Sequence, residues 1–296
     1  MKNSNNGETP ATLRQDNAVA ETPISGTPPE RAKRKRVGRP KLIDTLTIRR
    51  FINIHRSIIY GMMLGDSSII NRGSHATLRV LHAEDQKELV MHKYGLLREV
   101  APTPPRCHLN KWGQPKWYFQ TACDSEWQRV WSTFHQDSKT KIVCGKKVIP
   151  KVVTPQILKE VDDVGLAMWV MDDGSYTYGH QRYNPERPMN VFRLHTEGYT
   201  KEENELIARW FFEKYEVEPT IASCRKQLSD GSLAEYFLIR IGWRQFEKVA
   251  KRIERHIIPS MRHKIGAGPL QDKEQLDLNE LKTRSDLRGN AQSYQK

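Results

Sequence analysis

The chain has 296 residues and a mass of 34.4 kDa, which suits one large domain or two modest ones. Lys and Arg number 48 against 35 Asp and Glu, a formal charge of +13, and that excess points to a polyanion, of which nucleic acid is the commonest. No apolar run reaches the length of a membrane span and the N-terminal stretch lacks the apolar core of a secretory leader, so no membrane role is expected and an intracellular, non-secreted protein is.

Residues 1–43 are poor in aromatics and cannot bury enough apolar surface to fold alone, so they are expected to be a disordered basic arm. They hold nine Lys/Arg and four Asp/Glu, a charge of +5. Within them, Lys33-Arg34-Lys35-Arg36-Val37-Gly38-Arg39-Pro40-Lys41 resembles an AT-hook, in which Arg39 would enter an A·T-rich minor groove. The same block also reads as a solvated tail with general phosphate affinity, or as a nuclear import signal. Without such a signal, the cytoplasm or nucleoid is expected. Four cysteines, at 107, 123, 144 and 224, form no CxxC pair and are expected to be reduced, mostly packed thiols.

Between residues 47 and 65, Ile48, Phe51, Ile52, Ile58, Ile59, Met62 and Met63 recur at three- and four-residue steps and predict one helix. It ends in Gly61-Met62-Met63-Leu64-Gly65-Asp66-Ser67. Strands are predicted at Ser68–Arg72 and Ala76–His82, turning at Gly73, then a helix over Glu84–Val100, a strand at Trp117–Cys123 and an amphipathic helix from Glu126 to Phe134. The segment closes on Lys146-Lys147-Val148-Ile149-Pro150. From 163 the order returns. An apolar helix, Leu166–Met171, runs into Asp172-Asp173-Gly174. Strands follow at Ser175–Tyr178 and Val191–Thr196, separated by a polar insertion. Thr200-Lys201-Glu202-Glu203 has the form of a capping box opening a helix to Tyr215. Strands at Pro219–Arg225 and Tyr236–Ile241 and a helix from Gln245 to Arg255 lead to Ile258-Pro259. Residues 266–296 carry five charges of each sign and read as a polar tail.

This order, repeated, predicts a duplication. Asp66 and Asp173 lie 107 positions apart, and Pro150 and Pro259 lie 109 apart. A helix C-terminus carries partial negative charge, so an aspartate there is mildly unfavourable, although Asp-Gly and Asp-Ser also make ordinary turns. If the two apolar helices lie side by side, with Gly61 and Gly65 allowing close approach, Asp66 and Asp173 meet at one end. Two such carboxylates repel unless a cation lies between them. Mg²⁺ takes oxygen ligands, and paired ions can activate water for phosphodiester cleavage.

GMMLGDSS (61–68) and LAMWVMDDGS (166–175) resemble the two signature helices of the LAGLIDADG homing endonucleases, most closely the two-motif, intron-encoded monomeric branch. The likeness extends to Lys147-Val148-Ile149-Pro150, to Leu194–Thr200 and to Ile258–Ile265, and covers about 47–265. It implies an α+β fold of two pseudo-symmetric αββαββα halves, here 44–153 and 154–265, forming a DNA-binding saddle. It implies a monomer that cuts both strands of a specific DNA site with Mg²⁺, or Mn²⁺ in its place. By motif match the metal ligands are Asp66 and Asp173 with the backbone carbonyls of Gly65 and Asp172, and the lysines near the scissile phosphates are Lys147 and Lys264; a surface charge is the alternative for each lysine. Leu64, Ser67 and Met168 depart from the usual signatures, and Met168 would either hold the helices further apart or adapt through its flexible side chain.

Alternating strand faces give candidate DNA-reading residues: Thr77 and Arg79, Tyr118 and Gln120, Arg193 and His195, Ser223 and Arg225, and Arg240. Trp112, Trp117, Trp127, Trp131 and Trp169 are expected to pack in the core or at sheet edges. The alternative functions are an intron RNA maturase or a DNA-binding regulator that does not cut, on the same fold, and a basic partner-binding protein.

Overall fold

A computed structural model describes residues 43–267, except 137–140, 144–145, 178–179, 182–183, 189, 228–230 and 232. The AT-hook-like block with Arg39, residues 1–42 and 268–296 of the tails, and Cys144 lie outside the described residues. The first helix starts where the Asp44 carboxylate accepts the Thr47 N–H. What the periodicity reads as one helix is two, α1 (Thr45–Ile54) and α2 (Arg56–Leu64). His55 breaks them: its backbone leaves helical geometry (φ −105°, ψ 24°) and its ring packs on Phe51. Strands β1 (Ser68–Asn71) and β2 (Ala76–Ala83) turn through Gly73, whose φ of +88° suits glycine. Helix α3 (Lys87–Leu97) follows, then β3 (Arg106–Leu109), β4 (Pro115–Gln120) and α4 (Ser125–Phe134), whose N-cap is Asp124. Strand β3 was not expected from the sequence. All four of its residues are exposed, so it carries no alternation to read. A small hairpin, β5 (Lys141–Val143) and β6 (Lys146–Val148), completes the first half, and a short helix α5 (Pro155–Lys159) opens the second.

The second half continues with α6 (Asp163–Asp173) and β7 (Gly174–Thr177). The polar insertion forms a short hairpin, β8 (His180–Gln181) and β9 (Asn184–Pro188). Then come β10 (Val191–Leu194), α7 (Lys201–Tyr215), β11 (Thr220–Gln227), β12 (Leu233–Gly242) and α8 (Trp243–Ile253). The capping box at Thr200 and Glu203 is formed in both directions. The chain then passes through two 3₁₀ turns, the second at Pro259–Ile265.

The two four-stranded antiparallel sheets correspond, β1-β2-β4-β3 to β7-β10-β12-β11. Their registers match too: Ser68 pairs with Arg79, and Ser175 with Arg193. One face of each sheet is apolar and lies against helices, with Ile69, Leu78, Val80 and Phe119 in the first and Phe192, Leu194, Ile239 and Ile241 in the second. Helices α2 and α6 run side by side in the same direction through this core. Ser57 and the α6 N-cap Asp162 hydrogen-bond at one end, and a Cβ on Gly61 would lie 1.9 Å from the Gly165 carbonyl oxygen. Gly165 therefore supplies the close approach, one turn ahead of Met168, which is simply buried. Two expectations fail at the surface. Cys107, Cys123 and Cys224 are exposed thiols, and Trp112, at the tip of the β3–β4 hairpin, is 73% exposed with Lys111 over its ring.

Candidate active site

Both signature helices end at the same place, and their last carbonyls are collected by side chains from elsewhere. A helix leaves its final C=O groups unpaired, and cations favour that end. At the end of α2, Lys151 Nζ donates to the carbonyls of Met63 (2.7 Å), Gly65 and Ser67 (3.3 Å), while the Tyr199 hydroxyl donates to that of Leu64 (2.7 Å). At the end of α6, Lys264 Nζ donates to the carbonyl of Asp172 (2.7 Å). Gly65 and Asp172 are equivalent positions, so one lysine meets the same carbonyl in each half.

The lysine on the Gly65 carbonyl is Lys151. Lys147 lies on β6, paired with Ile142. The chain then runs back along the end of α4, with a bridge between His135 and Lys151 and the Val152 N–H on the Phe134 carbonyl, and this delivers Lys151 to α2. Lys151 follows Pro150 by one residue, and Lys264 follows Pro259 by five.

Of the acids, Asp66 is half exposed and Asp173 half buried. Burial, with Asp172 and Asp66 nearby, pushes the Asp173 carboxyl up to about 8, against the pull of Lys151. Burial pushes both lysines down from their usual range, although the three aspartates oppose it. The site is thus crowded with negative charge that it cannot fully ionise by itself. Its donors are hard oxygens, carboxylates and backbone carbonyls, and that set fits a divalent ion such as Mg²⁺. Beside Asp173, a cleft is lined by Ser175, Tyr176, His195, His263 and Lys264.

One further cluster has atoms close enough to hold a cation, Asp66, His82 and Asp172. Its chemistry argues against that use. The Asp172 carboxylate is fully buried and both oxygens are taken: Oδ2 accepts the Asp66 N–H (3.0 Å) and Oδ1 accepts Lys93 Nζ (2.5 Å). The Lys93 ammonium would repel a metal there. Burial and Lys93 push the His82 imidazole down from its usual value.

Lys93 and His82 are not among the sequence candidates, although a signal exists for each. Lys93 shares the buried stripe of α3 with Leu89, Val90 and Leu97. His82 alternates with Leu78 and Val80 on the apolar face of β2. A charged residue on an apolar stripe demands a buried partner.

The reading candidates fall on both faces. Arg79 and Gln120 are opposite one another, as are Arg193 and Arg240, all on the faces turned away from the helices. Tyr118 shares that face, and His195 continues it into the cleft, bonded to Ser175 (2.9 Å) and Glu197 (2.9 Å). Arg79 and Arg240 each keep a buried Nε with no protein acceptor. Thr77 points the same way but is only 4% exposed. Ser223 and Arg225 alternate with Ile221, which pairs with the core residue Ile239, so they take the opposite face. Without the register, a strand tip gives no sign of which parity faces the core.

The sequence pattern of the LAGLIDADG DNA endonuclease family matches residues 56–247. A probable intron-encoded DNA endonuclease 3 of Mycosarcoma maydis is 24% identical over 149 residues, 50% of this chain and 92% of that protein. The cytochrome b mRNA maturase bI2 of Debaryomyces hansenii is 22% identical over 218 residues, 71% of this chain and 72% of its own. Among solved structures, the homing endonuclease I-WcaI bound to its DNA recognition sequence is 22% identical with a TM-score of 0.53, covering 74% of this chain and 91% of its own. Among the described residues, no helix is long and apolar enough to cross a membrane.

Proposed function

Because the chain belongs to the LAGLIDADG DNA endonuclease family, we propose that it cuts both strands of a specific DNA site, with Asp66 and Asp173 each serving one strand. The observation that carries this reading is the convergence of the two helix ends, each with an aspartate and a lysine on the equivalent carbonyl. Asp66, Asp173 and the carbonyls of Gly65 and Asp172 would hold Mg²⁺, with Mn²⁺ as a substitute. A bound divalent ion lowers the pKa of attacking water and stabilises the leaving oxygen.

The protein's own groups do the rest. Lys151 and Lys264, each within reach of a helix-end acid, neutralise charge on the scissile phosphate and orient water. Arg79, Gln120, Arg193 and Arg240, on the sheet faces free of helices, have the donors and acceptors that read guanine and adenine in the major groove. Two matched halves in one chain can address both strands as a monomer, and a sequence-independent basic surface supplies phosphate affinity.

A cleavage selection on a randomised duplex library tests the reading, run with Mg²⁺ and with EDTA. Recovery of one preferred site, cut on both strands only with the metal, is the expected result. Binding to a preferred site with no cutting in either Mg²⁺ or Mn²⁺ would replace it with the regulator reading. The maturase relative motivates one added arm, splicing of the host intron RNA with and without the protein.

A further inference from the structure

Two acids suffice for the proposed chemistry, yet the second signature carries a third, Asp172. Its side chain leaves its own helix and crosses to the first half. There it accepts the backbone N–H of Asp66 (3.0 Å) and the ammonium of Lys93 (2.5 Å). Lys93 in turn donates to His82 Nε2 (3.1 Å). An ammonium has donors alone, so Nε2 accepts and the ring proton sits on Nδ1. Nδ1 donates to Gln86 Oε1 (2.9 Å) and lies 3.7 Å from the Asp66 carboxylate. Lys93, His82 and Asp172 are all sealed from solvent, with side-chain exposures of 0%, 1% and 0%. The chain is therefore Asp66 backbone, Asp172, Lys93, His82, and back toward the Asp66 side chain.

The arrangement has no counterpart in the other half. Asp172 corresponds to Gly65, and a Cβ on Gly65 would lie 2.4 Å from Asp172 Oδ2, so the glycine makes the room that the carboxylate occupies. The matching registers put Thr196 where His82 stands. Helices α3 and α7 begin at Lys87 and Lys201, which puts Ile207 where Lys93 stands. Both Thr196 and Ile207 are fully buried, and Thr196 bonds Asn204 (2.5 Å) instead. A buried ion pair is a weak source of stability, since well-packed apolar residues of the same volume often serve as well. Its placement against one acid and not the other gives it a different use.

We propose that Asp172, crossing from the opposite half, forms with Lys93 and His82 a one-sided lock that positions Asp66, so that cutting of one strand depends on it and cutting of the other does not. The proposal rests on reading Asp66 and Asp173 as the cleavage acids. Lys93 and His82 are positioning residues that touch no substrate.

The test uses the full chain and a duplex recovered by cleavage selection. Lys93→Met removes the ammonium at similar volume, and His82→Leu alone serves if that variant does not fold. Asp66→Asn identifies the strand that Asp66 serves. The lock predicts that the Asp66 amide exchanges with solvent faster in the variants, that its strand is cut on the order of tenfold more slowly or worse, and that the other strand and DNA affinity hold near wild type. Equal slowing of both strands, or an unchanged strand ratio with the amide released, overturns it. If Asp66→Asn cuts both strands normally, the acid assignment has failed, and the amide alone decides: protection retained in the variants overturns the lock as well.

Discussion

The lysine pair is where residue-level chemistry is most exposed to test. Lys151 serves several carbonyls at the end of α2 and Lys264 one at the end of α6, so their removal should differ. Lys151→Met should slow cutting and also lower stability by about 1–3 kcal/mol, because helix-end carbonyls are left unpaired in a buried place. Lys264→Met should slow cutting with the smaller loss of stability. Thermal melts beside strand-labelled cleavage check both. Lys147→Met decides between the two first-half lysines: wild-type cutting leaves the role to Lys151, and slower cutting of one strand keeps it for Lys147. A second residue-scale expectation concerns pH. The folded Asp173 carboxyl, raised from 3.8 to about 8, holds its proton in the native state. Its contribution to stability is therefore fully present below about 4 and is lost as pH rises toward 8. A divalent ion must displace that proton, so Mn²⁺ should bind more tightly as pH rises, by up to about tenfold per unit below 8. Calorimetry in buffers of different ionisation heat reads both affinity and proton release. Asp173→Asn should abolish the proton release.

At the scale of elements, the contact between α2 and α6 decides whether the acids meet. Gly61→Ala would put a methyl 1.9 Å from the Gly165 carbonyl, backbone against backbone, with no flexible tip to yield. The helices must separate, and a loss of about 1–3 kcal/mol or more is expected from a denaturant midpoint, together with slower cutting of both strands. Most elements were legible in the sequence because they alternate cleanly or carry caps, as at Thr200–Glu203 and the Gly73 turn. The placement of Asp66 and Asp173 at the helix ends was legible because each closes an apolar run. The failures share a cause. A kink at His55, an exposed strand at Arg106–Leu109 and the face of Ser223 and Arg225 depend on tertiary pairing, which leaves no local periodicity. Lys151 was missed because its position depends on how the chain doubles back along α4.

The whole molecule is a duplication that has become unequal: a glycine faces an aspartate across the helix pair, and Lys93 answers Ile207. Charge is unequal along the chain as well, with +5 on residues 1–43 and +8 on 44–265. Deleting 1–43 should weaken DNA binding and flatten its salt dependence by roughly 0.9 in log–log slope per lost phosphate contact, while leaving the preferred site unchanged. Arg39→Ala should weaken binding to A·T-rich flanks more than to G·C-rich ones. An unchanged salt slope would mean that the arm does not touch DNA. The central claim, one acid per strand, is tested most directly by strand-resolved cleavage of the selected duplex by Asp66→Asn and Asp173→Asn, with binding measured beside it. The account predicts that neither variant makes double-strand breaks, that both bind DNA about as well as wild type, and that any residual nicks fall on opposite strands. Wild-type double-strand cutting by either variant would contradict it.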